Sequence, residues 1–113
     1  MLIYIHWTRS TTGSDESGKT VKWQLKYLAV NGTSENVNSG ETTLSVQDTY
    51  DSAVPADQVA YRTDPLTIPA AAIEAGDCIT FELMAITPTG TALSEPACVG
   101  FSIEWTAYQV ETS

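Results

Sequence analysis

The chain has 113 residues, a length that suits one domain with a single core. Its formal net charge is -9, and the only cations are Arg9, Lys19, Lys22, Lys26 and Arg62. That balance repels a phosphate backbone and argues against nucleic-acid binding. No apolar run approaches the roughly 20 residues of a membrane-spanning helix, so membrane insertion is not expected.

Taken in order, Leu2 to Thr8 is rich in aromatic and β-branched residues and reads as a strand. It begins almost at Met1, without a basic segment or a small-residue cleavage site, so no secretory signal is expected. Arg9 to Gly18 reads as a polar loop. Thr20 to Val30 alternates, with Val21, Trp23, Leu25 and Tyr27 on one face and Lys22, Gln24 and Lys26 on the other. Asn31-Gly32 is a turn pair that opens a wider loop. Glu41 to Val46 and Gln58 to Thr63 read as weaker strands, with a loop from Asp48 to Asp57 between them.

Thr67 to Gly76 (TIPAAAIEAG) predicts one short helical turn near residues 70–75. Pro69 can occupy the first helical position, the alanines favour helix, and Gly76 can end it in the left-handed conformation. So short a piece needs packing to hold it, and Ile73 is the residue placed to supply it. The next strand carries Ile79, Phe81 and Leu83 on one face, and Pro88-Thr89-Gly90 marks a turn. Cys98 to Trp105 is the last long strand, with Val99, Phe101, Ile103 and Trp105 on one face. Six or more strands and one helical turn predict an all-β, antiparallel sandwich over residues 1–113. Its expected core is Val21, Trp23, Leu25, Ile79, Phe81, Leu83, Val99, Phe101 and Ile103, and Phe81→Ala is expected to cost about 3–5 kcal/mol.

Few residues suggest chemistry. His6 is the only histidine, and no serine lies in a G-x-S-x-G context, so a Ser–His–Asp triad lacks its surroundings. With one histidine and no C-x-x-C, zinc is not expected. Asp48, Asp51 and Asp57 could offer oxygens to calcium, but their spacing matches no EF-hand and aspartate is common in loops. No cofactor is expected. If the last two long strands form a hairpin about Gly90, Cys78 and Cys98 are about five residues out of register, or roughly 17 Å. A disulfide needs Cα atoms within about 7 Å, so two free, partly buried thiols are expected.

The stretch TIPAAAIEAGDCITFELMAI, followed by a polar loop and CVGFSIEWTAY, resembles the jelly-roll domain of tailed-bacteriophage virion proteins. The points of likeness are Thr67-Ile68-Pro69, the alanine-rich turn, Gly76-Asp77, the apolar strand Ile79 to Leu83, and Glu104-Trp105. The segments IHW and VKWQLKY are similar too. The resemblance implies a jelly-roll without catalytic activity in the virion, as a capsid-decoration, head-fibre or tail-associated protein. Coat or tail proteins would be its partners. Such domains often follow an N-terminal anchor. A first strand at Met1 leaves docking through the sandwich itself, or a place at the outer end of a longer polypeptide.

The alternative is a carbohydrate- or receptor-binding module that meets a host-surface glycan, since Trp7, Trp23 and Trp105 could stack on sugars. Trp23 and Trp105 fall on apolar strand faces, where core burial competes with that use. A small hydrolase has only scattered carboxylates behind it. A homo-oligomer is expected as well. The first strand is apolar on both faces and the second becomes so at its end, which makes Leu2, Tyr4, Leu28 and Val30 the suspected interface. The resemblance implies a trimer, whereas symmetry alone favours a dimer.

Overall fold

The computed structural model describes residues 1–9, 16–30, 40–50, 60–74 and 76–105. Seven strands follow one another: β1 (Leu2–Arg9), β2 (Thr20–Val30), β3 (Thr42–Thr49), β4 (Tyr61–Arg62), β5 (Leu66–Thr67), β6 (Cys78–Ile86) and β7 (Pro96–Glu104). They form two antiparallel sheets. In one, β1 has β4 and β5 along one side and β7 along the other; in the second, β2 lies between β3 and β6. The chain is therefore nearly all β, in the two-sheet arrangement of a sandwich. The turn Asn31-Gly32 lies outside the described residues.

The two central strands carry the core. Ile3, Ile5 and Trp7 of β1 are buried at every second residue, and so are Val21, Trp23, Leu25 and Tyr27 of β2. Each set points inward because side chains alternate along a strand, and the two facing sets exclude water from one another. Leu66, Ile68, Tyr50 and Leu93 complete the cluster from the shorter elements.

The last two long strands depart from the expected hairpin. β6 pairs only with β2 and β7 only with β1 among the described residues, so they belong to different sheets. Their connection crosses the end of the molecule. Thr89 exchanges two hydrogen bonds with the Gln47 side chain, and Thr20 and Leu93 are bonded through Leu93 N–H to Thr20 O. Gly90, at φ 88°, supplies the positive backbone angle that this turn requires. The register argument for the cysteines therefore falls, but both are free and both are exposed rather than partly buried. A thiol reagent is expected to titrate two thiols per chain in the native protein, without unfolding; finding fewer than two would contradict that exposure.

The expected core is right in its first part. Ile79, Phe81 and Leu83 are half-buried and pack against the main cluster. Val99, Phe101 and Ile103 are exposed, at 63%, 42% and 42%. Register sets Phe101 opposite Ile5 and Ile103 opposite Ile3, so these two do face inward. They stay wet because β7 is an edge strand with nothing described beyond it. Phe81→Ala is accordingly expected to cost less than a fully buried site, on the order of 2 kcal/mol.

The alanine stretch makes only a single 3-10 turn, Ala70–Ala72, in place of the longer helical piece. Its alanines are exposed. Ile73 is the residue that packs, as its position suggested. Gly76 takes φ 89°, and the Asp77 carboxylate accepts the Glu74 backbone N–H at 2.8 Å, which closes the corner before β6.

Candidate interaction flank

One flank of the sandwich, where β3 lies under β4 and β5, is sealed by aromatic and charged groups. Trp7 is fully buried and stacks on Tyr61 with ring centres 4.7 Å apart. Its indole N–H donates to Asp48 of the opposite sheet at 2.9 Å. Tyr50 meets the edge of Tyr61 at 5.8 Å. Asp48 is thus occupied within the fold, while Asp51 and Asp57 lie outside the described residues.

Beside this cluster is a buried ion pair. Arg9 and Glu16 are 2% and 3% exposed, with Arg9 Nε 2.9 Å from Glu16 Oε2. The other Glu16 oxygen accepts Lys19 Nζ at 3.2 Å, the Ser94 backbone N–H at 3.2 Å, and the Ser94 hydroxyl. The guanidinium lies 5.7 Å from the centre of the Tyr50 ring. The sequence reading placed Arg9 at the head of a polar loop. It is instead the next inward residue after Ile3, Ile5 and Trp7, and that period-two continuation was the signal that could have found it. A burial this complete without a partner would be prohibitive, and Glu16 supplies the partner.

The outer face of the first sheet carries two further polar contacts. Arg62 lies 4.6 Å over the Tyr4 ring, and His6 Nε2 is hydrogen-bonded to the Ser102 hydroxyl. A hydrolytic Ser–His pair also needs an acid to orient the ring and donors for an oxyanion. Among the described residues no carboxylate is bound to His6, and the pair sits on an open strand face. No three of His, Cys, Asp and Glu come together as metal ligands among the described residues. A cavity of about 340 Å³ at the end of the sandwich is lined by Thr20, Val21, Ile86, Pro88, Leu93 and neighbours, none of them charged. Its walls offer apolar contact and two threonine hydroxyls, with no group able to exchange a proton near neutral pH.

The suspected interface residues are not brought together. Leu2 and Tyr4 are half-buried on the outer face of the first sheet, where Leu2 is opposite Thr67 and Glu104. Leu28 and Val30 are on β2, in the second sheet; Leu28 is half-buried, and Val30 is buried but outside the main core cluster. A single neutral patch of all four would have to span opposite faces of the molecule.

The flank opposite the sealed one is different. Here β6 and β7 lie over one another, Phe81 and Phe101 are 6.3 Å apart, and no aromatic–carboxylate lock closes the gap among the described residues. Phe101, Ile103, Val99 and Trp105 are the large exposed apolar side chains that follow along the second of these strands, with Met84 exposed on the first. Their periodicity is legible in the sequence, which puts Val99, Phe101 and Ile103 in the core, whereas all three stand exposed. No protein-family model matches the chain, and no curated protein or solved structure matches it either.

Proposed function

We infer that this chain is a non-catalytic structural domain of a bacteriophage virion, docked to the capsid or tail through its own surface and associated with copies of itself. The observation that carries the association with copies of itself is the exposed apolar set Val99, Phe101, Ile103 and Trp105 on an acidic domain. Isolated apolar residues on a surface need no explanation, but a contiguous set on one strand suits a partner. The viral setting rests on the resemblance carried by Thr67 to Leu83 and Cys98 to Trp105. The finer jelly-roll assignment is supported by nested pairing, first strand with last and second with last but one, in alternate sheets. The β2–β3 neighbour pairing is a departure from it.

The test is immunogold labelling of particles from the phage whose genome encodes the chain. Regular label on capsid or tail supports the reading. Unlabelled particles, with the protein free in the lysate, would overturn it.

A glycan-binding role is favoured by one observation, the 65% exposure of Trp105. Trp7 and Trp23 are 0% and 4% exposed and are not available to stack on a sugar. Iodide is therefore expected to quench one indole of the three, and Trp105→Phe to abolish that quenching. Quenching of all three would reopen the sugar-binding reading and contradict the burial of Trp7 and Trp23.

A further inference from the structure

An edge strand presents a row of backbone N–H and C=O groups that pair with nothing, and proteins usually guard such edges with charges. Among the long edge strands described, β3 carries Asp48 and β6 carries Glu82 within its length. β7 carries its one charge, Glu104, at its last residue and none over residues 96–103. Its one irregularity is the extra residue Val99, since Gly100 is opposite His6 and Cys98 opposite Trp7. The same strand exposes Phe101 and Ile103, whose register partners Ile5 and Ile3 are at the centre of the core. Unpaired backbone and exposed core-facing side chains thus coincide on one neutral stretch of β7, residues 96–103. β6 opens onto the same flank, with Ile79, Phe81 and Leu83 only half-buried.

We propose that this flank is an interface with a second copy of the chain, in which the two β7 strands pair antiparallel across a two-fold axis. The occupant has to supply edge hydrogen bonds, apolar side chains at alternate positions, and no net charge. Residues 96–103 of another copy's β7 supply all three. Copies that each carry a net charge of -9 repel one another over most of their surface, and approach is least opposed along residues 96–103, with Glu104 left at the ends of the paired strands. The size is adequate. A strand of nine residues is about 30 Å long and sheets stack about 10 Å apart. With side chains, the flank offers on the order of 700 Å² per copy, close to the roughly 800 Å² of a stable interface. Both open edges share one flank, so one partner covers both. A closed ring of three would need two different surfaces per copy, so the geometry favours two subunits over the three that the resemblance implies. None of this depends on where the protein works.

The test uses the full chain at tens of micromolar. Light scattering after size exclusion is expected to give twice the 12.2 kDa chain mass, and Phe101→Asp with Ile103→Asp to halve it. Those changes touch core-facing positions, so a second measurement does not depend on them. In a Cys78→Ser background, a nitroxide on the exposed Cys98 reports the separation of the two β7 strands. Electron–electron coupling is expected at about 20 Å or less, from strand spacing and rise. A label on a Thr43→Cys variant of the cysteine-free chain, on the far edge strand β3, is expected to show no coupling so short. A monomer mass, a trimer mass, an aspartate double variant that folds and stays dimeric, or a dimer without the short Cys98 distance would each overturn the proposal.

Discussion

Replacing Arg9 by alanine is expected to destabilise the sandwich by about 3–5 kcal/mol, far more than replacing both members of its ion pair. The reason is the asymmetry of buried charge. Arg9 and Glu16 are almost wholly out of water, and Arg9→Ala leaves the Glu16 carboxylate buried with only Lys19 and Ser94 to answer it. It also removes the guanidinium that lies near the Tyr50 ring. The double change Arg9→Met, Glu16→Leu takes away both charges and keeps most of the volume, so it should recover most of the loss. Urea unfolding followed by tryptophan fluorescence measures both, provided the slope is shared among variants. A loss below about 1 kcal/mol for Arg9→Ala would show that the pair is solvated and that β1 does not end inside the core.

The same carboxylate gives the fold an acid limit. Burial alone pushes the Glu16 carboxyl up, but hydrogen bonds from the Ser94 hydroxyl and backbone and from Lys19, with the charge of Arg9, outweigh it and hold the group below its ordinary value of 4.5. The unfolded chain therefore takes up this proton before the folded one does. The stabilisation is complete above the ordinary value and is lost as pH falls through the lowered folded value. Glu16→Gln should flatten that part of the stability–pH curve below the ordinary carboxyl value of 4.5, while lowering stability at neutral pH. An unchanged acid slope in the variant would assign the acid limit to other carboxylates.

What could be read from the sequence was what period two encodes, and what could not was where each strand stands in its sheet. β2 was legible to the residue, because Val21, Trp23, Leu25 and Tyr27 alternate with charged and polar neighbours over a full strand. The apolar face of β7 was equally legible, yet Phe101 and Ile103 are exposed. Alternation gives the face of a strand and says nothing about whether another strand lies beside it. The hairpin expected at Pro88-Thr89-Gly90 failed for a related reason. A turn sequence fixes a change of direction, and the partner was decided by the contacts of Gln47 with Thr89 and of Thr20 with Leu93, many residues away. Arg9 was missed because its charge outweighed its parity, and Glu16 stands in the same polar stretch among Ser, Thr, Gly and Asp, where no pattern announced the pairing. The alanine turn was overestimated because propensity for helix acts weakly over so few residues. The Gly76-Asp77 corner was legible because a positive φ and a short-range carboxylate bond are both local.

Trp7→Ala is expected to cost about 3–5 kcal/mol, and its dissection bears on what holds the two sheets together. Trp7 belongs to β1 and stacks on Tyr61 of β4 in the same sheet, while its N–H reaches Asp48 of β3 in the other. Removing the ring loses the buried area, the stack and the bond across the sheets together. Trp7→Phe keeps most of the apolar body and the chance to stack, but loses the donor. A hydrogen bond to a charged acceptor is worth about 1.5–3 kcal/mol, and half-burial of Asp48 places this one at the low end. Trp23 provides the comparison. It is 4% exposed, and its indole nitrogen has no hydrogen-bond partner among the described residues. Trp23→Phe removes the same atoms and relieves a buried donor that nothing satisfies, so its net effect should stay within about 1 kcal/mol of wild type. The two Trp→Phe changes alter similar volumes in one core, so the difference between them estimates the value of the Trp7–Asp48 bond, and a double-mutant cycle with Asp48→Ala should return a coupling of about 1.5 kcal/mol. If Trp23→Phe proved the more costly of the two and the cycle returned no coupling, volume rather than hydrogen bonding would dominate at both sites, and the sealed flank would be held by the Trp7–Tyr61 stack alone.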